Sequence, residues 1–150
     1  MSYECKVMNE ELNTKHYELS TTNYELKKRI MKKENNIRQK TFEFAVRSVN
    51  LYKYLKDEKK EYVISKQILR SGTSIGANYR EADNAESKKD FIHKLAISQK
   101  EADETLFWLE LLKETDYINE EIYESMHNDA TEILKIIKTI IINTKKNMNL

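Results

Sequence analysis

Apolar residues along this chain recur at steps of three and four, the spacing that places side chains on one face of an α-helix. The pattern takes hold near Asn36. Phe42, Ala45, Val46, Val49, Tyr52 and Leu55 mark the apolar face of a first helix. Asp57-Glu58-Lys59-Lys60 follows as a polar connection or a solvated continuation. Val63, Ile64, Ile68, Ser71, Ile75, Asn78 and Ala82 mark a second helix, which Asp83-Asn84-Ala85-Glu86-Ser87 interrupts. Ser87 followed by Asp90 resembles a capping box, with Asp in place of the usual Glu. In a third helix Phe91, Leu95, Ser98, Ala102, Thr105, Leu109 and Leu112 alternate four and three apart. Thr115-Asp116-Tyr117-Ile118-Asn119 supplies a turn. Asn119 suits an N-cap, and Glu120 and Glu121 oppose the positive end of the helix that follows. That fourth helix carries Ile122, Met126, Ala130, Ile133, Ile137, Ile140 and Ile141 and ends in a basic tail.

Four helices joined by short connections predict an all-α protein, an antiparallel up-down-up-down four-helix bundle over residues 31–150. Residues 1–30 show no sustained apolar stripe and predict a polar, weakly structured, frayed or partly helical extension. His16-Tyr17-Glu18-Leu19 is echoed seven residues on by Asn23-Tyr24-Glu25-Leu26, and one such echo falls far short of a coiled coil. Met31 is the expected natural start, or else 1–30 docks loosely. The rival expectation is that the segment folds over an apolar face of the bundle.

Composition agrees with the helical reading. There is no proline and there are two glycines, Gly72 and Gly76, whereas sandwiches and barrels consume both residues in turns. Twenty-six basic residues against 25 acidic give a net charge of +1, without the basic excess of a dedicated nucleic-acid binder. A lone cysteine, Cys5, forms no intramolecular disulfide and no zinc site by itself. The first residues lack the apolar stretch of a signal peptide. The most apolar segment, Ile133 to Ile142, is interrupted by Lys135 and Lys138 and is too short to span a bilayer. A soluble, cytoplasmic protein that does not enter a membrane is expected.

Candidate chemistry is sparse. Both glycines lie within helix two, where each costs about 1 kcal/mol against alanine. Close helix–helix packing explains them, and so does a ligand approaching bare backbone. The block lacks the spacing and the Gly-Lys-Ser/Thr ending of a phosphate loop. Arg70, Ser74, Asn78 and Glu81 follow one side of the same helix at steps of four, four and three. They form either a solvated flank or a semi-buried network answered by acids such as Glu101 or Glu104. Asp90-x-x-His93 and Glu124-x-x-His127 have the spacing of carboxylate-bridged metal sites in bundles. His93, however, falls away from the apolar seam, so a ligand there faces outward. No cofactor or metal is expected, and no nucleophile–base pair can be assigned.

The end of helix three is apolar nearly all round: Leu106, Phe107, Trp108, Leu109, Leu111 and Leu112 are interrupted by Glu110 alone. Leu109 and Leu112 join the seam. Phe107, Trp108 and Leu111, with Ile97 further back, point away from it. A single bundle buries one side of each helix, so this second side predicts an oligomer interface.

The run Gln67-Ile68-Leu69-Arg70-Ser71-Gly72-Thr73-Ser74-Ile75-Gly76-Ala77-Asn78, then Glu81-Ala82 and Ser87-Lys88-Lys89-Asp90-Phe91, resembles the four helix bundle protein family. Phe107-Trp108-Leu109-Glu110-Leu111-Leu112 also looks like that family's helix-three ending, and the likeness runs from about Met31 to Lys138. The family was first noticed as proteins encoded by intervening sequences within bacterial 23S rRNA genes and is sometimes labelled S23 ribosomal protein. The resemblance implies an antiparallel bundle, commonly a pentameric ring, and brings no catalytic residues. Arg70, Ser74, Asn78 and Glu81 match its motif positions, which favours a structural polar network. It is similar also to the accessory proteins of diversity-generating retroelements, strongly basic pentameric bundles that bind nucleic acid and a reverse transcriptase.

The expectation is therefore a non-enzymatic, homo-oligomeric interaction or scaffold protein, RNA- or DNA-associated as an accessory. The alternative is direct nucleic-acid binding through Lys27-Lys28-Arg29, Lys32, Lys33, Arg38 and Lys40 with the C-terminal Lys145 and Lys146. A metal-dependent bundle enzyme is a remote third reading.

Overall fold

The computed structural model describes residues 3–148, without the side chains of 3–21, 27, 30, 31 and 33–35. Cys5 and the first half of the tetrapeptide echo therefore lie outside the described side chains. Among the described residues there are four helices: α1 Tyr3–Asp57, α2 Ile64–Asp83, α3 Lys88–Glu114 and α4 Glu120–Asn147. The chain divides into two compact units, Met1–Asn36 and Ile37–Leu150. In the first, the backbone is helical from Tyr3. No glycine or proline occurs there to stop the helix, and an apolar stripe is needed for packing rather than for propagation.

The second unit is the bundle. Cross-helix contacts give its order. Gly72 on α2 lies against Phe44 and Ser48 of α1, and Gly76 lies against Thr41. Ser98 and Thr105 of α3 bond to Ile75 and Ser71 of α2. Lys113 and Glu110 of α3 meet Glu120 and His127 of α4. Lys40 and Arg47 of α1 meet Glu132 and Asp129 of α4. In every pair residue numbers rise on one helix as they fall on the other, so neighbours are antiparallel. The four helices close in sequence order, with α1 diagonal to α3.

The core contains Leu95, Ala102, Leu109 and Leu112 of α3 and Met126, Ala130, Ile133, Ile137 and Ile141 of α4, as the spacing predicts, and adds Leu134. Three expected core positions of α2 are corrected: Val63, the N-cap residue, is 71% exposed, and Ile64 and Asn78 are half-buried.

The face of α1 is also corrected. Leu55 is buried, but Phe42 is 52% and Val46 44% exposed. The buried positions are Ile37, Thr41, Phe44, Ser48, Leu51 and Leu55, at steps of four, three, four, three and four. Two polar residues interrupt this seam and hide it from a hydrophobicity pattern. Their reason lies across the interface. A Cβ added to Gly72 falls 2.1 Å from Ser48 Oγ and 2.7 Å from Ser48 Cβ, and one on Gly76 falls 3.2 Å from the Thr41 carbonyl oxygen. The α2 backbone rests on α1, and only small residues fit between. The Ser48 hydroxyl donates to the Phe44 carbonyl at 2.9 Å and that of Thr41 to the Arg38 carbonyl at 3.1 Å, so neither polar group is stranded.

The α1–α2 turn performs a second task. Lys60 adopts φ 54°, and the Glu61 N–H reaches back to the Leu55 carbonyl at 3.0 Å. This aims the Glu61 carboxylate at the start of α2, where it accepts from the N–H groups of Val63, Ile64 and Ser65 at 3.0, 2.9 and 2.6 Å. Val63, the N-cap residue by position, supplies no side-chain bond. The other caps follow expectation. Asn119 accepts from the Ile122 N–H, and Ser87 accepts from the Asp90 N–H. The α3–α4 turn places Asp116 at φ 62°, with N–H bonds from Asp116 to Lys113 and from Tyr117 to Leu112, a Schellman ending without glycine.

Glu61 is 7% exposed. Burial pushes its carboxyl up, but the bonds from Ile64, Ser65 and Val63 outweigh that and hold it below the usual carboxylate range. A folded-state value below the unfolded one gives stability that is full above the unfolded pKa and lost as pH falls through the folded one. Glu61→Gln is expected to cost about 1 kcal/mol at pH 7, with the gap to wild type closing below about pH 4. Urea unfolding at the two pH values checks this, and a gap unchanged in acid would contradict it.

Gly72→Ala is expected to destabilise by about 1–3 kcal/mol, because Ser48 Cβ cannot rotate away as a hydroxyl can. Gly76→Ala, with only a slight approach to relieve and better helix propensity, should cost less. Adding Ser48→Gly to Gly72→Ala should recover part of the loss. Equal melting temperatures for the two glycine variants would refute the packing account.

Candidate functional site

Of the α2 polar side chains, Arg70 and Glu81 reach α3 through separate contacts, and Asn78 stays within α2. Arg70 donates through Nη1 to Glu101 at 3.3 Å and through Nη2 to Glu104, and its Nε reaches Gln67 at 3.4 Å. Glu104 also accepts from Trp108 Nε1 at 3.0 Å. Glu81 pairs with Lys94 at 2.5 Å, and Asn78 donates to the Ser74 carbonyl one turn back at 2.9 Å. Beneath this edge Thr105 and Ser71 share a buried hydrogen bond of 2.9 Å, and Ser98 donates to the Ile75 carbonyl at 2.8 Å. The arrangement fixes the register of two helices. The guanidinium, with Trp108 beside it, holds the Glu104 carboxyl below its ordinary range, and Glu104 in turn raises Arg70.

The outer side of α3 carries the predicted apolar residues in graded exposure. Phe107 is 55% exposed. Ile97 and Leu111 are half-covered. Trp108 packs against the core and makes an edge contact with Phe107 at 4.9 Å between centroids. A second exposed apolar pair was not anticipated. Phe42 and Val46 lie one turn apart on α1, and the Arg80 guanidinium sits 5.5 Å from the Phe42 ring. The signal was available only after the α1 seam had been assigned through Thr41 and Ser48, which turns Phe42 and Val46 outward.

Arg38 pairs with Asp83 at 3.1 Å and Lys40 with Glu132 at 3.0 Å, so both serve the bundle. Lys32, Lys145 and Lys146 are exposed, and the Lys27 and Lys33 side chains lie outside the described residues. His93 is exposed, and His127 stacks obliquely on Tyr123 with Glu110 at 3.8 Å. Among the described residues no group of three or more His, Cys, Asp and Glu side chains converges to hold a metal ion. No described helix is long and apolar enough to cross a membrane.

The sequence profile of the 23S rRNA-intervening sequence protein family matches residues 33–139, which takes in most of the bundle. The chain belongs to this family. A crystal structure of a protein of unknown function from the S23 ribosomal protein family of Bacteroides thetaiotaomicron VPI-5482 is similar, with 62% identity and a TM-score of 0.72. The alignment covers 73% of this chain and 97% of that one. Comparison with curated proteins finds no match. In this chain the Arg-Ser-Gly-Thr-Ser-Ile-Gly motif thus has a physical account. Glycines admit α1, Ser71 and the Ile75 carbonyl engage α3 hydroxyls, and Arg70 clamps the α3 acids.

Arg70 is 49% exposed and Glu104 34%, so solvent screens the clamp. Arg70→Ala is expected to cost about 1 kcal/mol, the upper end for exposed pairs, because one guanidinium serves two carboxylates. The depressed Glu104 value keeps that contribution full above the ordinary glutamate range and removes it as pH falls below. Chemical denaturation at neutral and acidic pH measures both. A pH-independent loss would show that the Arg70 stem, not its charge, supplies the stability.

Proposed function

We propose that this protein is a non-enzymatic, homo-oligomeric helical-bundle scaffold, an accessory in an RNA- or DNA-associated process, whose outer α3 face meets other copies of the chain. The observation that carries this reading is Phe107. Phe107 is 55% exposed, its ring edge-on to Trp108, and leaves apolar surface on a face that the bundle does not cover. The interior supports the same reading: Phe44, Tyr79, Ile133 and Ile137 fill it, the Ser48 and Ser98 hydroxyls donate to carbonyls, and Thr105 donates to Ser71.

A second reading, direct nucleic-acid binding, draws support from Lys28, Arg29 and Lys32, which line one shallow surface of α1. Phosphate contacts there would make retention on heparin or RNA fall with a slope of about one per lysine in log K against log salt.

Changing Phe107 and Leu111 together to Asp is expected to shift the light-scattering mass towards monomer while helical circular dichroism persists. An unchanged mass would remove the support for the scaffold reading.

A further inference from the structure

The two inner flanks of α1 are closed in different ways. Towards α2 it is met by bare glycine backbone. Towards α4 the seam is bridged by long side chains: Lys40 reaches Glu132 at 3.0 Å, and Arg47 pairs with Asp129 and bonds the Ser125 hydroxyl at 2.8 Å. Past Arg47, towards the α1–α2 turn, this seam stays open as a groove of about 250 Å³. Arg47, Asn50, Leu51 and Tyr54 of α1 line it, with Ile122 and Met126 of α4. The spacings of three and four give each helix one stripe along it. Leu51 and Met126, 5% and 3% exposed, form the floor, and Tyr54 and Ile122 are half-buried at its sides. Asn50 is exposed at the rim, and its side-chain amide has no hydrogen-bond partner among the described residues.

We infer that this groove binds a neutral, planar heteroaromatic ring with a hydrogen-bonding edge, the chemistry of a nucleobase. The inference goes beyond the scaffold reading and does not rest on it, since the groove lies between α1 and α4 rather than on the outer side of α3. Size limits the ligand first. Pockets for drug-sized molecules measure about 300–1,000 Å³, so this one takes a ring or two fused rings. Charge limits it next. Arg47 is the one charged residue in the lining, and Asp129 already answers it, so an anion gains little there. The walls favour a ring over an aliphatic chain, because a thioether and a phenol both make favourable contacts with aromatic rings. Asn50 supplies the recognition. Its amide offers a donor beside an acceptor, which a base edge matches in reverse. A free nucleoside and an unpaired base of a single strand present the same ring, and single strands splay their bases out for such stacking. Lys59, 5.9 Å from the centre of the Tyr54 ring, can serve the phosphate that a strand brings.

Met126 on the floor provides the probe. Full-length protein, isotope-labelled at its methionine methyl groups, is titrated by NMR with adenosine, inosine, cytidine and uridine, and then with short single strands of the same bases. A saturable shift of the Met126 methyl is expected with at least one of them, at about 0.1–1 mM for a nucleoside-sized ligand, while the other methionine methyls stay in place. Asn50→Ala, at an exposed position, is expected to keep the melting temperature and weaken binding at least about fivefold. Asn50→Leu, which adds apolar surface but removes the edge, should weaken it likewise. Ile122→Trp, which fills the groove, should abolish binding, with circular dichroism verifying helix content. A strand that binds no tighter than its nucleoside identifies a free ligand. One that binds at least about tenfold tighter, with the gain lost in salt, identifies the strand, and both results support the inference. No saturable Met126 shift with any nucleoside or strand overturns it, as does binding that Asn50→Ala and Asn50→Leu leave unchanged.

Discussion

At Gly72 and Gly76 the backbone of α2 comes against α1 with no side chain between, and the rest of the bundle is arranged around that approach. A Cβ at Gly72 falls 2.7 Å from that of Ser48, a distance atoms do not tolerate. The helix opposite must therefore present small residues at those levels, and it presents Ser48 and Thr41. With α1 fixed at this depth, Arg38 reaches Asp83, and Arg47 and Lys40 reach α4. The turn that follows must be tight, so Lys60 takes a left-handed conformation and Glu61, rather than a residue at the N-cap, bonds the first amides of α2.

The same demand for small residues runs across the bundle. Ser48, Ser71, Ser98 and Thr105 are fully buried, and each hydroxyl bonds to a backbone carbonyl or to another hydroxyl. Serine and threonine are compact enough for near backbone contact, and a satisfied hydroxyl carries little desolvation cost. An aliphatic side chain there would add apolar burial but push the helices apart. The bundle thus uses hydroxyls to set register at its α1–α2–α3 side and aliphatics to supply burial at its α3–α4 side, where Leu95, Leu109 and Leu112 are buried together with Met126, Ile133, Ile137 and Ile141.

This division explains which parts of the structure were legible in the sequence. The α3 seam and most of the α4 seam show in the spacing because burial there is aliphatic, and Asn119 and Ser87 show because a capping residue sits at the position it serves. Arg70 and its α3 acids were one of two open readings, and the structure pairs them at a half-exposed edge of the bundle. The α1 seam was misassigned because Phe42 and Val46 outrank Thr41 and Ser48 in hydrophobicity, while the criterion at that interface is size. The information was present in another helix: two glycines four residues apart imply small partners facing them. Glu61 escaped notice because it caps from two residues ahead of the N-cap, a position that only the turn geometry defines.

Turning the α1 helix to place Ser48 and Thr41 inward has an outward consequence. The helix is rigid, so its side chains rotate together. The inner seam brings Ile37, Phe44, Leu51 and Leu55 with it and leaves Phe42 and Val46 on the far side. Nothing in folding requires apolar residues at those outer positions, since a polar residue would serve a solvated face equally well. Phe107 poses the same question on α3, whose inner seam is already complete with Leu109 and Leu112. Folding accounts for the inner residues of both helices and leaves the outer ones to a different demand.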